Sequence, residues 1–306
     1  MKRATIILSI LSILSINIIY SQQDPQYTQY MYNMHIINPA YAGSEGTLNI
    51  GLLHRTQWVG LDGAPKTTVA TVNAPIRKNI GMGLSVFADK IGPVKEQDLF
   101  VDVSYTIQTS DYGNLAFGIK GGLSFIDANL SDLDLGDDDF DAVFDNDINN
   151  TYPNFGAGAF YYTDHFYAGL SMPNMLNQYH FKKKAGIISS ASEKMHYFLT
   201  SGYIFDLNDN LKLKPSVMLK GVTGAPLSID ISGNVLINNK LEFGLSWRAD
   251  DSVSALMNIE VAPLMRIGYS YDYTITNLGD FNSGSHEIIL LITISNSRNG
   301  ISPRFF

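Results

Sequence analysis

Residues 79–90, NIGMGLSVFADK, decide how the chain is read. Ile80, Met82, Leu84, Val86 and Ala88 fall on one side, and Gly81, Gly83, Ser85, Phe87 and Asp89 on the other. That strict period of two is the side-chain repeat of a β-strand. The same alternation returns on moving outward. Over 98–108, Leu99, Val101, Val103, Tyr105 and Ile107 oppose Asp102, Ser104, Thr106 and Gln108. Over 113–125, Leu115, Phe117, Ile119, Leu123 and Phe125 oppose Asn114, Lys120 and Ser124. Leu211, Leu213, Val217 and Leu219 then alternate with Lys212, Lys214 and Lys220, and Leu241, Phe243, Leu245 and Trp247 with Glu242, Ser246 and Arg248. Such runs exceed the mean globular strand of about five or six residues and match the ~9–11 of a tilted membrane-crossing strand.

Laid end to end, these segments predict about fourteen strands within residues 46–296. One set of connections is short, at 76–78, 109–112, 164–165, 206–210, 239–240 and 262–263, and is rich in Asn, Asp, Gly or Pro, as tight turns require. The alternate set includes 127–153, 173–193 and 274–284, all long. An even strand count, with short turns at one end and long loops at the other, describes an all-β transmembrane outer-membrane β-barrel of antiparallel strands. That topology puts both termini in the periplasm. A soluble β-sandwich also alternates, but its edge strands would show charge on the exposed side, and here nearly every strand has one wholly apolar face.

Composition agrees. The chain has 306 residues, 45% of them hydrophobic, with 26 Gly, 17 Tyr and 16 Phe, and only 16% charged; average soluble domains run near a quarter charged. The net charge of -8 argues against nucleic acid as a partner. There is no cysteine, which removes disulfides, thiol catalysis and a lipoprotein anchor. Residues 1–21 read as a signal peptide: Lys2 and Arg3, then an apolar run from Ile6 to Tyr20, then Ser21-Gln22-Gln23 as a cleavage zone. The apolar run is shorter than the ~20 residues of a spanning helix, so a mature membrane form must be a barrel.

Residues 22–45 differ from the rest. Asp24 is a good N-cap, Pro25 suits the first helical position, and Tyr27, Tyr30, Met31 and Met34 form a stripe at helical spacing. A short helix is predicted over 25–37, ended at Asn38-Pro39. Being marginal alone, it needs a partner surface, and two are open: the barrel's own lumen or mouth, which little slack over Tyr41–Gly46 favours, or periplasmic machinery.

The same stretch carries a resemblance. Asp24-Pro25-Gln26 with Gln29-Tyr30-Met31, Asn38-Pro39-Ala40-Tyr41-Ala42-Gly43, and Arg55-Thr56-Gln57-Trp58 with Gly60 and Gly63-Ala64-Pro65 are three ordered blocks. They resemble the N-terminal signature of the PorP/SprF family, outer-membrane proteins linked to type IX secretion and gliding motility. The resemblance implies a non-enzymatic component that binds partners at the cell surface: outer-membrane lipids, type IX secretion components and a large secreted adhesin. It points to Asp24, Pro25, Gln26, Tyr30, Asn38, Pro39, Tyr41, Gly43, Arg55 and Trp58 as partner or structural positions, with Arg304 and Phe306 in the C-terminal tail, 297–306. The periplasmic contact face would use Asp24–Gly43 and that tail, and the external one the loops 57–66, 127–153 and 173–193.

Motifs for chemistry are absent: no Gly-x-Ser-x-Gly elbow, no phosphate loop, no His-Glu-x-x-His. The six histidines are scattered, so no cofactor is expected. Asp132, Asp134, Asp137, Asp139 and Asp141 supply the oxygen donors that calcium takes, without the Glu that closes an EF-hand loop; a solvated loop held open by like charges is the preferred reading. Arg55, Asp102, Lys120, Lys220, Asp230, Glu242 and Arg248 lie on the polar side of their strands, which faces the lumen. Salt bridges across a filled interior are favoured over an ion-selective pore, although a diffusion channel for small solutes remains the alternative function. Tyr161, Tyr162, Phe166, Tyr167, Tyr269, Tyr271 and Tyr273 suit aromatic girdles at the bilayer interfaces.

Overall fold

The computed structural model describes residues 26–130, 147–176, 178–184, 187–193, 195–223 and 225–294. The strands are β1 Leu48–Thr56, β2 Lys66–Arg77, β3 Ile80–Ile91, β4 Val94–Gln108, β5 Asn114–Ala128, β6 Ile148–Tyr162, β7 Phe166–Met172, β8 Gln178–Lys184, β9 Ile187–Glu193, β10 His196–Tyr203, β11 Phe205–Asn208, β12 Leu211–Val222, β13 Ser228–Ile237, β14 Leu241–Arg248, β15 Ser252–Ala262, β16 Met265–Thr274 and β17 Ser285–Ile294. Neighbours pair antiparallel throughout, β1 pairs with β17, and β10 pairs with both β7 and β12. The sheet therefore closes into a 14-strand barrel, and closure leaves no open edge. β8 and β9 form a separate hairpin within the β7–β10 connection. β11 continues β10 beyond the buried Ile204, and both lie along β12.

Turn chemistry sets the two ends apart. At the short-turn end Asn238 and Asn239 take φ of 53° and 55° between β13 and β14, the left-handed geometry a tight hairpin needs. The other end carries the connections after β1, β5, β7 and β16. The stretch 127–153 is shorter as a loop than its composition suggests, because β5 runs to Ala128 and β6 begins at Ile148.

Alternation sorts the two faces. Leu84, Val86, Leu99, Val101, Phe117, Ile119, Leu245 and Ile288 are exposed on the outside, at 43–67% of full exposure. The alternate residues Ser85, Asp102, Ser104, Lys120 and Glu287 are buried inside. An apolar surface that encircles a closed barrel is the face lipid covers. Tyr105, Tyr269 and Tyr273 stand on it, as girdle residues do. Tyr162 and Tyr167 do not: both are buried and pack on Phe160, with ring centroids 5.5 and 5.8 Å away. Their parity along β6 and β7 turns them inward, leaving Tyr161 and Phe166 as the outer pair.

Candidate functional site

The barrel's core is supplied by residues 26–47, which lie inside it. Tyr30, Met31, Met34, His35, Asn38 and Ala40 are each at most 1% exposed. This segment is not one α-helix. It makes three 3-10 turns, Tyr30–Tyr32, Met34–Ile36 and Pro39–Tyr41, broken at Asn33, whose φ of -145° and ψ of 58° are non-helical. The physical reason lies in the wall, which takes the backbone groups a helix would have paired. The amides of Thr28 and Gln29 donate to the Glu287 carboxylate at 3.0 and 2.8 Å. The carbonyls of Ile36, Ile37 and Ala42 accept from Lys120 Nζ at 3.2 Å, Ser171 Oγ at 2.7 Å and Ser104 Oγ at 2.6 Å. Pro39 opens the last turn, and the Asn38 side chain caps it by accepting from the Ala40 amide at 3.0 Å.

Side chains hold the plug around the circumference. Asn33 Nδ2 donates to Thr71 Oγ1 on β2, Asn38 Nδ2 to the Ala159 carbonyl on β6, Tyr30 Oη to Ser216 Oγ on β12, and Tyr32 Oη to Glu242 on β14. His35 Nε2 lies 2.6 Å from Asp102 Oδ2 on β4, both fully buried; the approach is a close polar contact rather than an aligned hydrogen bond. Plug residues Tyr27, Tyr30, Met31, Ile36 and Ile37 form one apolar cluster with the inward wall residues Leu53, Val69, Phe198, Met218, Leu256 and Ile289. Tyr41 meets Phe160 edge to face at 5.2 Å. Glycines make the room. A Cβ on Gly83 would fall on the His35 ring, and Cβ atoms on Gly118, Gly158 and Gly268 would strike Ala40, Asn38 and Gln29, so strand interiors that glycine ordinarily weakens admit a second chain here. Gly43, at φ 73°, turns the plug into β1 with its amide on Asn73 Oδ1 at 3.2 Å.

Lumenal charges are paired. Arg55 Nη1 reaches Asp272 at 2.7 Å, Glu287 at 3.1 Å and Thr28 Oγ1 at 3.1 Å. Arg248 grips Asp230 with two bonds of 2.8 and 2.9 Å, the bidentate geometry that guanidinium favours. Lys214 pairs with Glu242 at 3.1 Å. Lys120 sits 3.9 Å from Asp102 and 5.2 Å from the Phe100 ring centroid, and Lys220 stands 6.0 Å over Phe198. Buried charge is tolerated only with such partners.

Of the positions singled out from sequence, Tyr30, Asn38, Pro39, Tyr41, Gly43 and Arg55 come together in the lumen, with Lys120 against the plug backbone. Asp230, Arg248 and Lys220 are buried on the wall. Because Tyr30, Asn38, Pro39 and Tyr41 are covered by the wall, they offer no partner a surface in this conformation. Gln26 is partly buried. Trp58 stands apart at the long-loop end, half-buried at φ 45°. Asp24, Pro25, Arg304, Phe306, the signal region, the acidic run Asp132, Asp134, Asp137, Asp139 and Asp141, and the C-terminal tail fall outside the described residues. Among the described residues no group of three or more His, Asp or Glu side chains is placed to hold a metal. Sequence reading missed Asp272, Glu287 and the His35–Asp102 pair. Their signal is parity: each wall carboxylate sits on the inward register of its strand, as Asp102 does.

A closed barrel with an apolar outer band and a lumen filled by its own N-terminal segment defines a plugged outer-membrane β-barrel. More narrowly, the chain belongs to the PorP/SprF family, described as type IX secretion system membrane proteins, whose model matches residues 19–292. Solved structures agree in fold only. The Pseudomonas putida toluene transporter TodX aligns with a TM-score of 0.51 and 9% identity, over 87% of this chain and 95% of that one. The Ralstonia pickettii toluene transporter TbuX gives 0.49 and 10%, over 87% and 92%, and Omp33 of Acinetobacter baumannii 0.47 and 8%, over 81% and 98%. No curated protein matches.

Proposed function

We propose that the protein is a plugged, non-enzymatic scaffold of type IX secretion in the outer membrane, supporting export or surface anchoring of large adhesins and contacting the periplasmic machinery. Family membership supports the secretion role. The observation that favours a scaffold over a diffusion channel is the plug, bonded to strands all around the barrel. In this reading the short-turn end faces the periplasm and presents the end of β17, while the long connections face outward. Only part of the plug is near the periplasmic mouth. Traced back from β1 it climbs from Ala42, beside Ser104 and Gly81, to Thr28, beside Glu287 and Asp272 near the opposite mouth. The N-terminal side of the plug therefore points toward the long-loop end, and the periplasmic contact falls to the short turns and the C-terminal tail.

Deleting the gene and profiling secreted and surface proteins tests the role. Loss of at least one large surface protein is expected, and unchanged export of all of them would overturn it. Planar-bilayer recording on refolded protein tests the plug: silence is expected, and steady ohmic conductance would favour the channel.

A further inference from the structure

A row of lysines on the outer wall is not accounted for by the lumen. Strand register places Lys66 of β2 opposite Lys90 of β3, and Lys90 opposite Lys95 of β4. Like charges directly opposite one another destabilise a sheet, so three in a row need a reason. All three are exposed, and their parity is that of Val72, Leu84 and Leu99, the lipid-facing residues of the same strands. They stand at the long-loop end of those strands, where the apolar band gives way. Among the described residues none of the three makes an ion pair. Among the described residues Asp127, opposite Lys95 across β4 and β5, and Asp62, which lines the adjoining cleft, are acids near the row, and neither makes an ion pair with it; Asp89 and Glu96, opposite each other beside Lys90 and Lys95, have the inward parity.

Beside the row lies a half-open cleft of about 710 Å³, lined by Trp58, Leu61, Pro93 and the three lysines. Its walls are held firmly. Trp58 N donates to Ser285 Oγ at 3.1 Å and Val59 N to the Gly284 carbonyl at 2.9 Å, and Gly92 N donates to the Gly63 carbonyl at 2.9 Å. Trp58 itself is kept in the left-handed region that bulky residues avoid; backbone in that region persists where the surroundings over-determine it, and it clusters at binding sites.

We propose that this row and cleft bind the phosphorylated headgroup of a membrane lipid in the leaflet at the long-loop end. The lipid-facing parity selects a lipid over a soluble anion. The lysines supply point charges for phosphate, and the cleft takes the adjoining sugar or glycerol beside an amphipathic indole, which favours the interface. Assigning that leaflet to the cell surface, and so the lipid to a phosphorylated glycolipid, rests on the orientation proposed above.

The test uses the full-length barrel in detergent, with native mass spectrometry measuring retention of a bisphosphorylated glucosamine lipid against phosphatidylcholine, phosphatidylglycerol and inorganic phosphate. The wild type is expected to retain the bisphosphorylated lipid preferentially, in a salt-sensitive manner. K66Q/K90Q/K95Q is expected to lose about a hundredfold in affinity while keeping its phosphatidylcholine binding and its heat-modifiable gel mobility. Equal retention by wild type and variant would overturn the site. So would inorganic phosphate competing as well as lipid, or lipid binding that appears only after Asp132, Asp134, Asp137, Asp139 and Asp141 are changed to Asn, which would make the chain's own acidic segment the occupant. Preference for phosphatidylglycerol would overturn the leaflet assignment. The assay contains no secretion machinery, so its failure leaves the secretion role standing, and the converse holds.

Discussion

The two faces of one wall differ more than any two segments of the chain. Along β4, Leu99, Val101 and Val103 stand outside at 38–44% exposure, while Phe100, Asp102 and Ser104 between them are nearly sealed. A water-soluble barrel would reverse this. The outer face needs only to be apolar, because lipid asks for no specific partner. The inner face carries Arg55, Lys120, Lys214, Asp272 and Glu287, and each depends on named neighbours. Tolerance should therefore be broad outside by chemistry class and narrow inside by identity.

The sharpest way to break the contrast is Glu287→Ala. It strips Arg55 of one carboxylate and leaves the amides of Thr28 and Gln29 unpaired. Removing one partner of a buried pair costs about 3–5 kcal/mol, so a clear drop in the urea midpoint of the refolded barrel is expected. A leucine-like tolerance at that site would mean that the lumen is wetter than its burial implies. On the outside, Val101→Arg puts charge near mid-band and is expected to cost about 2–4 kcal/mol, read by the same unfolding assay in lipid, whereas Val101→Leu should be close to neutral. At the short-turn rim both rules relax. Asp206 meets Lys212 at 2.5 Å and His165 at 2.9 Å, yet its side chain is 43% exposed. Asp206→Asn is expected to change stability by less than about 1 kcal/mol, and a larger loss would show that the rim behaves like the lumen.

Much of this was legible in the residues. Side-chain parity is a local property, so the alternation around Met82, Val101 and Phe243 showed which face each residue takes before any pairing was known. Turn residues such as Asn238-Asn239 marked the ends. Two details depart from the local signals. Tyr162 and Tyr167 flank a turn, yet their parity faces them inward, and the capped, striped segment 25–37 is helical only as short 3-10 turns, because wall side chains take backbone groups that one continuous helix would pair.

What the sequence by itself determined is the barrel, because a two-residue period needs no knowledge of neighbours and a closed sheet satisfies every backbone group it exposes to lipid. The path of the plug was decided only by the tertiary structure. Its stripe of Tyr27, Tyr30, Met31 and Met34 suits a helix in isolation, but Glu287, Lys120, Ser171 and Ser104 come from strands that meet only when β1 closes on β17. Once they meet, these side chains bond the plug's amides and carbonyls directly, and three short turns replace the helix.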